Sequence, residues 1–90
     1  MSIAKTEGSF TGIEAGDPIK LQGDFNISVA GFGSAQVDLE RSFDTGSTWK
    51  TVEAFSADAD KRGYEPEEGI LYRLNCTAHV SGTIVHRLSQ

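Results

Sequence analysis

The chain has 90 residues, which is the size of one small domain and too short for two. Thirteen acidic residues against eight basic ones give a net charge of −5, which argues against a nucleic-acid-binding protein because such proteins need a basic face. The single cysteine excludes an internal disulfide, and no apolar run approaches the roughly 20 residues that cross a bilayer. We therefore expect a soluble, acidic domain whose partners are neither nucleic acids nor membranes.

The first 18 residues carry the weakest structural pattern. Short strands fit residues 9–14 and 19–22, whereas residues 1–8 show no periodic burial. The start of the chain has no apolar stretch of signal-peptide length, so we expect synthesis in a cytoplasm without export. The pattern predicts an N-terminal arm or weakly ordered segment over 1–18 and a single domain over 19–90.

The middle of the chain alternates apolar and polar residues with a period of two, which is typical of half-buried strands. Strands are predicted over 24–30, 35–43 and 48–55, with Gly-containing turns between them. Arg41 falls on the inner face of the second strand. The other inward side chains predicted for the first two strands are apolar: Phe25, Ile27, Val29, Val37, Leu39 and Phe43.

Residues 42–49 read Ser-Phe-Asp-Thr-Gly-Ser-Thr-Trp, a motif that resembles the Asp-box hairpin of sialidases. Asp44 can accept hydrogen bonds from backbone N–H groups of its own turn, and Gly46 can supply the positive φ of a tight hairpin. Thr48 restarts the strand, and Trp49 is expected to cover the turn and reach the core. The resemblance implies a structural hairpin without glycosidase activity, because 90 residues cannot form the blades of a propeller.

Residues 56–69 are polar and rich in acidic side chains. Pro66 excludes a central strand, so we expect a solvated loop with at most a short edge strand near 62–65. Acidic side chains exposed there are candidate contacts for a basic partner surface, together with one lysine of the N-terminal arm. The candidate contact residues are Lys5, Asp58, Asp60, Glu65, Glu67 and Glu68.

The strongest strand is predicted over 70–78, followed by a turn at 80–83 and a last strand over 83–88. Inward side chains of the first of these are Ile70, Tyr72, Leu74, Cys76 and Ala78. Six to eight short strands separated by Gly-containing turns predict an all-β fold, a small antiparallel β-sandwich that is Ig-like or jelly-roll-like.

Residues able to perform chemistry are few. Cys76 is expected to be a buried, unreactive thiol, and His86 a half-buried, hydrogen-bonded imidazole. Arg41, Arg73 and Arg87 are expected to form cross-strand ion pairs with Glu40 and Glu53. The sequence offers no catalytic constellation, no cofactor motif and no standard zinc or calcium spacing, so we expect no enzyme, cofactor or metal.

A wider resemblance rests on residues 32–49, 68–77 and 81–90. They read Phe-Gly-Ser-Ala leading into Leu-Glu-Arg-Ser-Phe-Asp-Thr-Gly-Ser-Thr-Trp, then Glu-Gly-Ile-Leu-Tyr-Arg-Leu-Asn-Cys-Thr, and last Ser-Gly-Thr-Ile-Val-His-Arg-Leu-Ser-Gln. This order is similar to that of small structural proteins encoded among the head and tail genes of tailed bacteriophages.

The resemblance implies a virion protein made in the bacterial host cytoplasm. The role we expect first is that of a capsid decoration (cement) protein that docks on the assembled shell. Its partners would be capsid or other virion proteins, and copies of it could form homo-oligomers on the particle. Two alternatives stay open. One is a head–tail or tail accessory protein, and the other is a carbohydrate-binding β-sandwich module.

Overall fold

The computed structural model describes residues 5–90, and this part of the chain consists of β-strands and turns without a helix. The prediction of an all-β, small antiparallel β-sandwich is confirmed. The strands are β1 (Lys5–Phe10), β2 (Glu14–Ala15), β3 (Ile19–Phe32), β4 (Ala35–Ser42), β5 (Lys50–Phe55), β6 (Ala59–His79) and β7 (Gly82–Ser89).

Two long strands, β3 and β6, take part in both layers of the sandwich. The hydrogen-bonded order is β1-β7-β3-β6-β4-β5, with β2 also paired to β6, and every pairing is antiparallel. In the first layer, residues 59–65 of β6 pair with 23–29 of β3, which in turn pairs with β7. In the second layer, residues 71–79 of β6 pair with β4, and 70–72 pair with the start of β3.

The change of layer occurs at an irregularity shared by β3 and β6. Their register jumps between the pair Leu21 with Ile70 and the pair Gly23 with Glu65, so residues 66–69 have no partner in β3. Gly23 has φ of 76° and Gly69 has φ of 77°, which a residue with a Cβ adopts only with strain. The position without ladder hydrogen bonds accommodates Pro66, as a bulge does. Residues 59–69, expected to be mostly loop, instead belong to a 21-residue strand.

Side chains from both layers form one hydrophobic core. The inward faces predicted for the strands near 24–30 and 70–78 are confirmed except at Ala78, which is exposed because the pairing with β4 shifts register between Cys76 and Ala78. Ring centroids of Phe25 and Tyr72 lie 4.8 Å apart. The inward position predicted for Phe43 is wrong: it is 51% exposed because β4 ends at Ser42. The core consists of Phe10, Leu21, Phe25, Ile27, Val29, Val37, Leu39, Phe55, Ile70, Tyr72, Leu74, Cys76, Ile84 and Leu88.

The N-terminal segment differs from the predicted arm. Strand β1 pairs with β7 from Lys5 opposite Ser89 to Phe10 opposite Ile84, and the Phe10 side chain is 1% exposed. Residues 5–10 therefore form an edge strand of the first layer. The sequence shows little alternation there because a single apolar side chain anchors the strand. Residues 1–4, also assigned to the arm, lie outside the described residues.

A buried polar cluster joins the two layers beside the irregularity. Glu65 has no exposed side-chain surface and accepts hydrogen bonds from the Tyr72 hydroxyl at 2.6 Å, the Glu67 N–H at 3.1 Å and the Arg41 guanidinium. Burial alone would raise the pKa of Glu65, but these hydrogen bonds and the charge of Arg41 lower it below its ordinary value. Burial and the neighbouring carboxylate raise the pKa of Tyr72 to about 12.

This buried polar cluster predicts that removing the charge of Glu65 strongly lowers the free energy of unfolding. Glu65→Gln leaves the partly buried Arg41 without its counterion, so we expect a loss of about 2–4 kcal/mol in the free energy of unfolding at pH 7. Tyr72→Phe removes one neutral donor and should cost only about 1 kcal/mol. Urea denaturation of the three proteins measures this difference. Equal midpoints for Glu65→Gln and the parent would contradict the assigned role.

His86 is more buried and less well hydrogen-bonded than expected. It is 4% exposed, its ring stacks on Phe10 at a centroid distance of 4.1 Å, and Nδ1 has no hydrogen-bond partner in the described part of the chain. Burial disfavours the imidazolium and lowers the pKa of His86, while the nearby carboxylates of Glu14 and Asp17 oppose that shift. The folded protein therefore holds this histidine neutral.

The lowered pKa predicts a loss of stability on mild acidification. Below about pH 6.5 the unfolded chain takes up a proton at His86 before the folded chain does, so the free energy of unfolding decreases as pH falls. His86→Phe keeps a ring against Phe10 and should flatten this dependence between about pH 7 and pH 5. His79→Gln is the control that should retain it. Thermal melts across this range test the prediction, and an unchanged slope in His86→Phe would contradict it.

Candidate functional site

The turn between β4 and β5 is held by side-chain to backbone hydrogen bonds. The Asp44 carboxylate accepts from the Thr48 N–H at 2.8 Å and from the Ser42 hydroxyl at 2.7 Å. The Ser42 oxygen in turn accepts from the Gly46 N–H at 2.9 Å, and Gly46 has φ of 96°. Hydrogen bonds from Ser42 and Thr48 lower the pKa of Asp44. The turn is therefore a rigid platform for the residues beside it.

Trp49 lies over this turn on the outer face of the second layer. Its ring approaches Gly46, and the Arg73 guanidinium lies 4.2 Å from its centroid. The expectation that Trp49 reaches the core is wrong, since it packs on an arginine instead. Arg73 Nε donates to Glu40 at 2.7 Å, in the cross-strand pair expected from the sequence, and Asn75 also donates to Glu40 at 3.3 Å. Trp49 is thus held by a chain of polar contacts.

Phe43 forms a second aromatic–arginine pair on the opposite side of the same hairpin. The Arg41 guanidinium lies 4.5 Å from the Phe43 centroid and also binds the buried Glu65, a partner that sequence reasoning did not foresee. The Phe43 ring itself remains half-exposed. We call residues 43–49 with Arg41 and Arg73 the hairpin tip.

The hairpin tip combines the side chains that most often supply binding energy at protein interfaces. Trp, Phe and Arg are enriched there, and a rigid ring loses little conformational entropy when it docks. Each arginine has a glutamate partner and an aromatic neighbour, so both are oriented before any partner arrives. Sequence reasoning placed Trp49 in the core and missed Phe43. The signal available in the sequence was that Phe43 lies inside the turn motif of residues 42–49 rather than in the strand before it.

The acidic residues predicted as partner contacts do not form one surface. Glu65 is fully buried in the polar cluster, so its assignment as a contact is wrong. Asp58 accepts hydrogen bonds from the N–H groups of Gly31 and Phe32 at 2.9 and 3.1 Å, and so fixes the end of β3. The other four are exposed, on strands β1 and β6: Lys5, Asp60, Glu67 and Glu68.

Two open, polar grooves lie on the surface. One has a volume of about 460 Å³ on the outer face of the first layer, and Asp60 and Arg87 line it with uncharged neighbours. The other, of about 520 Å³, runs past Glu68 and Lys20 at the layer crossing. Neither lining contains a histidine or a cysteine.

The single cysteine of the chain lies in the core. Cys76 is fully buried, and burial raises the pKa of its thiol, which keeps it protonated and unreactive. Within residues 5–90, no group of three His, Cys, Asp or Glu side chains is arranged to hold a metal ion. That same part of the chain has no helix long and apolar enough to cross a membrane.

Comparison with known proteins gives a likeness of fold. No protein-family model matches the sequence, and no curated protein does so either. Among solved structures, the fold is similar to that of the Yersinia pseudotuberculosis-derived mitogen (YPM), with a TM-score of 0.60. The alignment covers 98% of this chain and 83% of the mitogen, with 15% sequence identity. Similarity of this kind describes the whole domain rather than one motif.

This comparison corrects the functional prediction made from the sequence. A phage capsid decoration protein was expected, with a head–tail accessory protein or a carbohydrate-binding module as alternatives. That prediction is wrong, because a solved structure that matches nearly the whole chain is a bacterial mitogen and not a virion component. Of the segments that suggested a virion protein, residues 32–49 run into the hairpin of β4 and β5, where turn chemistry alone produces recurring residue patterns, and residues 68–77 and 81–90 lie mostly in β6 and β7.

The geometry of the turn predicts how it responds to substitution. Gly46→Val places a β-branched residue at φ of 96° and should cost about 1–3 kcal/mol in the free energy of unfolding. Asp44→Ala removes the acceptor for the Thr48 N–H and should lower the melting temperature by several degrees. Ser47→Ala, in the same turn, is the matched control and should melt with the parent. Identical melting of all four proteins would exclude the described turn.

Proposed function

We propose that this protein is a non-enzymatic binding protein that acts as a mitogen, stimulating cell division by attaching its hairpin tip to a protein on the cell surface. The observation that carries the proposal is the hairpin tip itself. It is a preorganised pair of aromatic rings, each held by an arginine, on a domain whose fold is similar to that of a mitogen.

The fold similarity supports the general class of function. It extends over 98% of the chain, so the likeness includes the layer crossing and both layers rather than a single hairpin. A stable β-sandwich without an assembled catalytic group serves as a scaffold that presents surface residues to a partner. Binding is then the activity that the described residues support.

The hairpin tip supports a particular mode of attachment. Phe43 presents a half-exposed ring whose far side rests on Arg41, so the ring can enter an apolar pocket without reorganisation. Trp49 and Arg73 form the other aromatic–arginine pair, on the opposite side of the hairpin. A rigid aromatic side chain that enters a dry pocket is the usual centre of an interface hot spot.

The proposal predicts that Phe43 dominates binding to responsive cells. Fluorescently labelled protein is titrated onto a panel of cultured mammalian cells, and cell division is followed in parallel by dye dilution. Phe43→Ser should weaken binding by about 30-fold or more, as the loss of a hot spot does, and should reduce cell division accordingly. Because Phe43 is already exposed, the variant should melt close to the parent.

The matched control for this experiment is Val80→Ser. Val80 is 83% exposed in the turn before β7, beside the start of β4, whereas the hairpin tip follows the end of β4. This variant removes a similar exposed apolar side chain and should retain full binding. A parent protein that neither binds nor stimulates any cell type overturns the function, and equal effects of both variants overturn the site.

A further inference from the structure

The first layer of the sandwich ends in a regular, exposed edge. Residues 59–65 of β6 pair with β3 on one side, from Ala59 opposite Val29 to Glu65 opposite Gly23, without a register shift. Within the described residues, no strand pairs with their other side. This edge is about 23 Å long at the usual rise of a strand. An edge of this kind presents unpaired backbone N–H and C=O groups and is a template for another strand.

The charge pattern of this edge is complementary to itself. Asp60 and Arg62 are both exposed and are separated by one residue, so both point to the outer face of the layer. Among residues 5–90, Asp60 forms no ion pair, and Arg62 reaches only Asp24 at 3.7 Å with both side chains mostly exposed. An antiparallel copy of the strand centred on residue 61 places Asp60 of each copy opposite Arg62 of the other.

We propose that the protein forms a two-fold symmetric dimer in which residues 59–63 of two copies pair as antiparallel strands, with Lys61 at the two-fold axis and Asp60 and Arg62 forming reciprocal ion pairs across the interface. A two-fold axis through this position makes every contact occur twice, which is the rule for isologous interfaces. The first layers of the two copies then join as one continuous sheet.

The inner side of this edge also tolerates a second copy. The symmetry places the two Lys61 side chains opposite one another, and two uncompensated ammonium groups would repel each other. Each ammonium is already paired with Glu53 of the same chain and lies 5.8 Å from the Phe55 ring centroid. Gly63 contributes no side chain, since Phe25 fills the space where a Cβ would lie. The backbone of the edge therefore remains open to approach.

The other edges of the sandwich are less suited to pairing. The pairing of β4 with β5 shifts register between Leu39 and Glu40. Such an irregularity bends the edge strand β5 and makes it a poor template for a further strand. Strand β1 contains Lys5 and Glu7, which also alternate in charge. Glu7, however, lies 3.3 Å from Lys5 and 3.7 Å from Arg87 of the same chain, so its charge is already compensated.

Charge exchange between copies gives a test that is specific for this register. Sedimentation equilibrium of the full chain from about 1 μM to about 1 mM spans moderate to weak association and should show a dimer for the parent. In a dimer of Asp60→Arg, arginine faces arginine at both symmetry-related positions. In a dimer of Arg62→Asp, aspartate faces aspartate at both. Each variant alone should weaken dimerisation by about 100-fold or more, since opposed like charges at an interface cost several kcal/mol.

Mixing the two variants should restore association. A chain with arginine at 60 and 62 then meets a chain with aspartate at both positions, and all cross-strand pairs become favourable. The heterodimer should form in the mixture although neither variant pairs with itself, and it should weaken as salt increases. Thermal melts of each variant alone establish that both are folded, since the two side chains are exposed.

Lys5→Glu on β1 is the matched control, because it reverses a charge on the other long edge of the same layer. It should leave the dimer intact. A parent that stays monomeric throughout the concentration range overturns the proposal. A dimer that survives both single substitutions, that is disrupted by Lys5→Glu, or that is not restored in the mixture also overturns it. None of these measurements involves cell binding, so the outcome is independent of the proposed mitogenic function.

Discussion

The fold depends on one constraint, which is that two strands must leave one layer and enter the other at the same point. Strands β3 and β6 change layer together between the pair Leu21 with Ile70 and the pair Gly23 with Glu65. Residues 66–69 bulge into solvent there, whereas Glu65 beside them is fully buried. Glu65 lies at this point and accepts the Glu67 N–H, the Tyr72 hydroxyl and Arg41. A single carboxylate therefore accepts one N–H of the bulge and also ties β6 to β4 through Arg41.

The same cluster connects the fold to the hairpin tip. Arg41 binds Glu65 with one part of its guanidinium and supports the Phe43 ring above it, so the position of an exposed side chain is fixed by a buried charge. On the opposite side of the hairpin, Glu40 fixes Arg73, which in turn supports Trp49. Both aromatic rings are therefore oriented by ion pairs rather than by burial. This leaves their outer surfaces available for a partner while their orientation costs little further entropy.

The two surfaces singled out in this molecule lie on different parts of the sandwich. The hairpin tip extends beyond β4 and β5 of the second layer, whereas the edge at 59–65 belongs to the first layer. A dimer formed through that edge would carry two hairpin tips. Two linked sites engage neighbouring receptors with an affinity greater than that of either alone, because the second attachment is intramolecular. Dimerisation and mitogenic attachment would then reinforce one another without sharing a residue.

Much of the fold could be read from the sequence because strand burial follows local alternation. The apolar faces of residues 25–29 and 70–76 and the Asp44–Thr48 turn depend on neighbours a few residues apart, so their side-chain pattern specified them. The Arg73–Glu40 pair was among the cross-strand pairs expected, but the pairing of β4 with β6 that forms it was not predicted. Strand β1 could not be predicted from the sequence, because it is held by backbone pairing with β7 and by the single buried side chain of Phe10.

Tertiary structure alone decided the environment of Glu65 and of the two aromatic residues at the hairpin tip. In the sequence Glu65 stands beside Pro66 and near two other glutamates, which is the composition of a solvated loop. It is buried because Arg41 and Tyr72, 24 and 7 residues away, converge on it when the layers pack. Likewise, Phe43 is exposed and Trp49 packs on Arg73 because the hairpin extends past the core. Such partners are brought together by the packing of the two layers, which no local pattern specifies.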